Sequence, residues 1–131
     1  MFFGGESLLY LDKIKSILSK LEDYQIKVQP SITTNGMLLT DENIKELISL
    51  NIFPTISLDG APLTQLTHRK INFVSISDFY NQIRKYLNKC KEKNIPAVCQ
   101  STITPMTIGK LTETFLLASN LGFEFWWYEL E

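Results

Sequence analysis

The chain has 131 residues, a formal net charge of −1, 44% apolar residues and 21% charged residues. That length suits one domain with a core of its own, and the composition excludes a disordered chain. Lys and Arg are spread along the chain and no apolar run approaches the ~20 residues of a membrane span, so neither nucleic acid nor a membrane is expected as partner.

Taken in order, residues 1–5 read as a short apolar strand. Ser7 is the expected cap of a helix with Leu8, Leu11, Ile14, Ile17, Leu18 and Leu21 at helical spacing. “IKVQPSITT” reads as a second strand, with Pro30 against it, and Asn35-Gly36 stops it. Thr40, Asp41 and Glu42 open a helix whose apolar face is Ile44, Leu47 and Ile48. “IFPTISL” is a third strand, stopped by Asp59-Gly60 and followed by a long loop. Ser77 is the expected cap of the next helix, carried by Phe79, Ile83, Tyr86, Leu87 and Cys90. “IPAVCQSTI” is a fourth strand. Thr107 is expected to cap a helix through Ile108, Leu111, Phe115 and Ala118, which Gly122 ends. “FEFWWYEL” is a fifth strand, and its aromatic run is expected to be buried.

Strands alternating with helices predict an α/β fold with parallel strands and right-handed crossovers, as one domain over residues 1–131. Cys90 and Cys99 have neither disulfide nor metal-ligand spacing. They are expected to be reduced core residues, which fits a cytoplasmic location.

In parallel α/β folds ligands bind at the carboxyl ends of the strands. The first strand ends in Gly4-Gly5-Glu6, the second in Thr33-Thr34-Asn35-Gly36 and the third in Ser57-Leu58-Asp59-Gly60, while the fourth carries Gln100, Ser101 and Thr102. Two glycines bare the backbone to a ligand, and a carboxylate beside them suits an ammonium group. Each stretch also reads as an ordinary turn. “FGGES” is neither a dinucleotide fingerprint nor a phosphate loop. With a single His, a hydrolytic triad has no support.

In order, “FFGGESLL”, “SITTNGMLLT”, “ISLDG” and Arg69, twelve residues after Ser57, resemble the radical S-adenosylmethionine (radical SAM) enzymes. The branch most similar holds the anaerobic sulfatase-maturing enzymes and the SPASM peptide maturases. The resemblance implies a partial (β/α)6, TIM-like barrel. The chain would be a fragment of it with about five strands and four helices, from the second barrel strand to the sixth, without the N-terminal cluster loop or the C-terminal domain. It implies S-adenosylmethionine as cofactor and a 4Fe–4S cluster in the parent enzyme. Gly4, Gly5 and Glu6 match the motif that holds the methionine ammonium group. Ser57 matches a ribose contact, Arg69 a carboxylate contact and Leu130 an apolar position beside the adenine. Thr34, Asn35 and Asp59 would shape the mouth of the site.

Two features depart from the family pattern. Gln65 and Leu66 stand where a His-Asp pair is common. The C-x₃-C-x₂-C cluster motif is missing, and Cys90 and Cys99 cannot replace it. The resemblance therefore implies the cofactor-binding part of an oxidoreductase that modifies a peptide or protein residue through a 5′-deoxyadenosyl radical, the chain alone being inactive. The other reading is a non-catalytic α/β domain that binds a nucleoside-like ligand or a protein partner. In either case unpaired strand edges are expected to make the chain self-associate.

Overall fold

The computed structural model describes residues 1–60, 62, 64, 65 and 75–131. A 3₁₀ turn, Ser7–Tyr10, runs into helix α1, Leu11–Asp23. Strand β1, Ser31–Thr34, is followed by α2, Asp41–Ser49, and β2, Phe53–Ser57. Then come α3, Ile76–Glu92, β3, Val98–Ile103, α4, Leu111–Leu121, and β4, Phe125–Leu130.

The strands form one parallel sheet in chain order, β1-β2-β3-β4. Right-handed crossovers that always step the same way put every helix on one face. A doubly wound sheet would reverse its order and cover both faces. The result is a section of barrel wall, as the α/β reading expected. Burial agrees with this geometry. Ile32, Ile56 and Cys99 point to the helices and are fully buried, while Thr55, Ser57 and Gln100 on the other face are half-buried. Ile44 and Leu47 of α2, Phe79, Ile83 and Leu87 of α3, and Ala118 and Leu121 of α4 complete the core. Among the described residues, no helix is long and apolar enough to cross a membrane.

Several sequence expectations change. The strand over residues 1–5 shrinks to one bridge, Phe2 beside Ile32. Phe2 N–H donates to the Ser31 carbonyl at 2.8 Å and its carbonyl accepts from Thr33 N–H at 3.0 Å. Gly4 and Gly5 then turn away with φ of +111° and +53°, so the described residues form four strands rather than five. The second strand starts at Ser31 and not at Ile26, because residues 26–29 are exposed and Pro30 has no N–H for a ladder.

Two caps move. Glu6, not Ser7, caps the 3₁₀ turn, its carboxylate accepting from Leu8 N–H. Ser75, not Ser77, caps α3. Its hydroxyl accepts from Asp78 N–H at 3.1 Å and donates to the Asp78 carboxylate at 2.7 Å, a reciprocal pair that Ser77 has no acid to form. Thr107 makes no side-chain cap; its hydroxyl instead accepts from Thr104 N–H at 2.8 Å. The Thr40 cap and the left-handed Gly122 after α4 form as expected.

The aromatic strand is not buried. Phe125, Trp127, Tyr128 and Leu130 are all more than half exposed. Among the described residues β4 pairs with β3 alone and lies at the edge of the sheet. Both cysteines are buried and free, as expected.

Two predictions follow from the core. Leu47→Ala should cost about 2–5 kcal/mol in urea denaturation, while Ile17→Ala on the exposed side of α1 should cost less than about 0.5 kcal/mol. Burial pushes the Cys90 and Cys99 thiols and the Tyr80 hydroxyl up to about 12, with the nearby Cys99 adding to the Tyr80 shift. Folding thus opposes their ionisation. Their contribution to stability is fully present below the pKa of the unfolded thiols and is lost as pH rises toward 12. The denaturation midpoint should fall across that alkaline window, and Cys99→Ala should flatten the fall.

Candidate functional site

The candidate residues gather at the carboxyl end of β1 and β2. Glu6 sits just past the Gly4-Gly5 turn. Its Oε1 accepts from Thr34 Oγ1 at 2.7 Å and from Leu8 N–H at 3.1 Å, and its Oε2 accepts from Asn35 N–H at 3.0 Å. One carboxylate thus ties the first turn of the chain to the end of β1. Thr34 is buried, and its hydroxyl also accepts from Gly36 N–H at 3.1 Å. Asn35 closes the turn by accepting from Met37 N–H at 2.8 Å. An ionised carboxylate offers about four acceptor sites, of which Glu6 uses three here. Gly4 and Gly5 leave open space where a side chain would stand: a Cβ built on either meets nothing within 4 Å. Bare backbone beside a fixed carboxylate with acceptor capacity left fits an ammonium group.

The next strand end is held from behind. The Leu58 carbonyl accepts from Ser101 Oγ at 2.7 Å, and Ser101 Oγ accepts from Trp126 Nε1–H at 2.8 Å. Asp59 N–H donates to Gln65 Oε1 at 2.8 Å, and the Gly60 carbonyl accepts from the Tyr80 hydroxyl at 3.0 Å. Gly60 has φ of +145°, and a Cβ there would lie 2.9 Å from Thr114 Oγ1, so no other residue fits. Ser57 lies on the open face of the sheet, beside Gln100 of β3, and Gln100 Nε2 donates to Glu129 at 3.4 Å.

Glu6, Thr34 and Asn35 are therefore brought into one hydrogen-bonded group next to the Gly4-Gly5 turn, with Ser57 and Asp59 at the adjacent strand end. Leu130 is not brought to them. It pairs with Ile103 and lines a groove with Phe115 and Tyr128, on the sheet face opposite Ser57. Arg69 and Leu66 lie outside the described residues. Tyr80 and Trp126 hold the site without having been read as its parts, while in the sequence Ser101 reads only as a strand-end hydroxyl and Gln65 only as a departure from the family pattern. Among the described residues no group of His, Cys, Asp or Glu could hold a metal ion. Both thiols are buried and resist ionisation, so these cysteines do not fit an iron–sulfur cluster.

No protein-family model and no curated protein sequence matches the chain. Solved structures do. An anaerobic sulfatase-maturing enzyme, anSMEcpe with bound AdoMet, matches with a TM-score of 0.75 at 18% identity, over 98% of this chain and 36% of that one. The fold is that of the radical SAM enzymes. SuiB of Streptococcus suis, bound to S-adenosylmethionine, matches with a TM-score of 0.68 at 17% identity, over 97% of this chain and 28% of that one. A domain of pyruvate-formate lyase-activating enzyme from Bacteroides vulgatus matches with a TM-score of 0.57 at 12% identity, over 99% and 96%. The chain spans about a third of the length of the sulfatase-maturing enzyme it matches.

Replacing Glu6 by Ala should free three donors on two segments. Hydrogen exchange at the Leu8 and Asn35 amides should speed up by roughly tenfold, on the scale of a charged hydrogen bond, while the amides of α3 keep their protection.

Proposed function

We propose that this chain is the S-adenosylmethionine-binding portion of a radical SAM enzyme that modifies a peptide or protein residue. The observation that carries the reading is the Glu6 carboxylate, fixed by Thr34 and Asn35 beside the bare Gly4-Gly5 backbone at the carboxyl end of the sheet. The fold shared with anSMEcpe and SuiB supports it. So do the peptides in those structures: anSMEcpe was crystallised with a Kp18Cys peptide and SuiB with its precursor peptide SuiA.

In this reading Glu6 takes the ammonium group of the cofactor, with Gly4 and Gly5 letting it approach the main chain. Ser57 meets the ribose hydroxyls from the open face of the sheet. Arg69 is assigned to the cofactor carboxylate by its motif position. Leu130 faces away from Ser57, so we leave it out of the ligand shell. When bound, the sulfonium cofactor supplies a reductively cleavable carbon–sulfur bond. The residues of this chain bind and orient it. The cysteines do not fit the cluster that would reduce it, so no reductive step is assigned to this chain.

The test is titration of the chain with S-adenosylmethionine, followed by backbone amide NMR. Shifts should concentrate at residues 4–7, 34–36 and 57–59. Glu6→Gln keeps the shape of the side chain but loses its charge, and should weaken binding by tenfold or more. Equal binding by Glu6→Gln, or shifts centred elsewhere, would overturn the assignment.

The non-catalytic reading keeps one observation of its own. The aromatic side chains of β4 are exposed, and such a surface suits a protein partner.

A further inference from the structure

The free edge of β4 presents its main chain in a defined phase. Phe125 N–H donates to the Ala97 carbonyl and Glu131 N–H to the Ile103 carbonyl. In a parallel ladder alternate residues turn both main-chain groups to the same neighbour. Trp127 and Glu129 therefore also face β3, and Trp126, Tyr128 and Leu130 turn N–H and C=O outward. No described residue pairs with them. Both faces of this edge carry exposed apolar side chains, with Glu129 the one charge among them. Phe125 and Trp127 stand on one. Tyr128 and Leu130 stand on the other, beside Ile108 and Phe115 across a groove of about 510 Å³. Natural edge strands are blunted by charged side chains, especially Lys, by Pro or by a bulge. Over its six residues β4 has no Lys, no Pro and an unbroken register, and its one charge, Glu129, turns its main chain toward β3.

We propose that a second copy of this chain occupies this edge, β4 pairing antiparallel with β4 about a two-fold axis through Tyr128. The outward residues choose that register. It sets Tyr128 opposite itself and Trp126 opposite Leu130 of the second copy, each pair exchanging two main-chain hydrogen bonds. Centring the axis on Trp127 would instead set Leu130 against Glu124, whose N–H is turned inward to the Ala97 carbonyl.

The Tyr128 register also keeps the two helix layers on the same side of one continuous sheet, because residues directly opposite share a face. Tyr128 and Leu130 then close over the groove lined by Ile103, Leu111 and Phe115. Glu129 falls opposite Trp127 of the second copy, not opposite another acid. Phe115, Phe125, Trp127, Tyr128, Ile108 and Leu130 are each more than half exposed. Together they expose roughly 600 Å² per copy, before any main chain is counted, the surface from which an interface of ~800 Å² per partner would be drawn.

The experiment is sedimentation of the 131-residue chain at tens of micromolar, with three variants, and it does not depend on cofactor binding. A single dimeric species is expected. Tyr128→Lys should give a monomer with an unchanged circular dichroism spectrum. Tyr128→Cys, oxidised, should give a covalent dimer, because residue 128 meets itself at the axis. Glu129→Cys should cross-link far more slowly. The buried Cys90 and Cys99 do not compete. A monomeric parent chain, a ladder of higher oligomers, a dimer that survives Tyr128→Lys, or equal cross-linking by Glu129→Cys would each overturn the proposal.

Discussion

The Glu6 carboxylate joins two parts of the chain that little else connects. Residues 1–10 contribute one bridging residue and one 3₁₀ turn to the sheet, so their position against β1 rests on few bonds. Glu6 supplies two of these, accepting from Thr34 and Asn35, while its bond from Leu8 N–H is local to the 3₁₀ turn. Hydrogen bonds from backbone and hydroxyl donors fix the direction of this carboxylate. A carboxylate held this way loses little further freedom when a cation reaches it, which is what preorganisation requires. The group that completes the fold at this corner is therefore the one on which the proposed site rests.

The neighbouring strand end is held by a different device. Three consecutive residues, Leu58, Asp59 and Gly60, each give a main-chain group to a side chain from elsewhere: Ser101, Gln65 and Tyr80. Trp126 of the edge strand reaches this turn through Ser101. The stability of β4 and the shape of the turn are thus coupled through one hydroxyl. Both devices lie where winding in a single direction leaves the carboxyl ends of the strands clear of the helices. The same winding explains the half-buried face at Thr55, Ser57 and Gln100 and the exposed aromatic edge, since a sheet covered on one side leaves its other face and its last strand to be covered by something else.

Much of the fold was legible in the sequence. The faces of α2 and α3 follow from apolar spacing, because a helix buries residues of one stripe whatever it packs against. Thr40 and Gly122 mark their helix ends through local backbone chemistry. Residues 26–29, by contrast, resemble strand because Ile26 and Val28 alternate with polar residues, yet among the described residues no strand pairs with them and they stay exposed. Ser75 and Ser77 compete as caps, and the acid three residues after Ser75 decides between them. The aromatic run of β4 read as core because composition reports hydrophobicity and not whether a covering layer is present.

The sequence by itself determined the alternation of strands and helices, the parallel sheet that follows from it, and the motif residues at the strand ends. Those are local properties: period, turn chemistry and short spacing. Only the tertiary structure decided that Glu6 would be tied to Thr34 and Asn35, about 30 positions away, that Leu130 would face away from Ser57, and that Trp126 and Ser101 would brace the Leu58 turn. These depend on strand register and on which face each crossover covers. A shift of one residue in register turns every side chain of a strand to the other face, and no local pattern in this sequence records that choice.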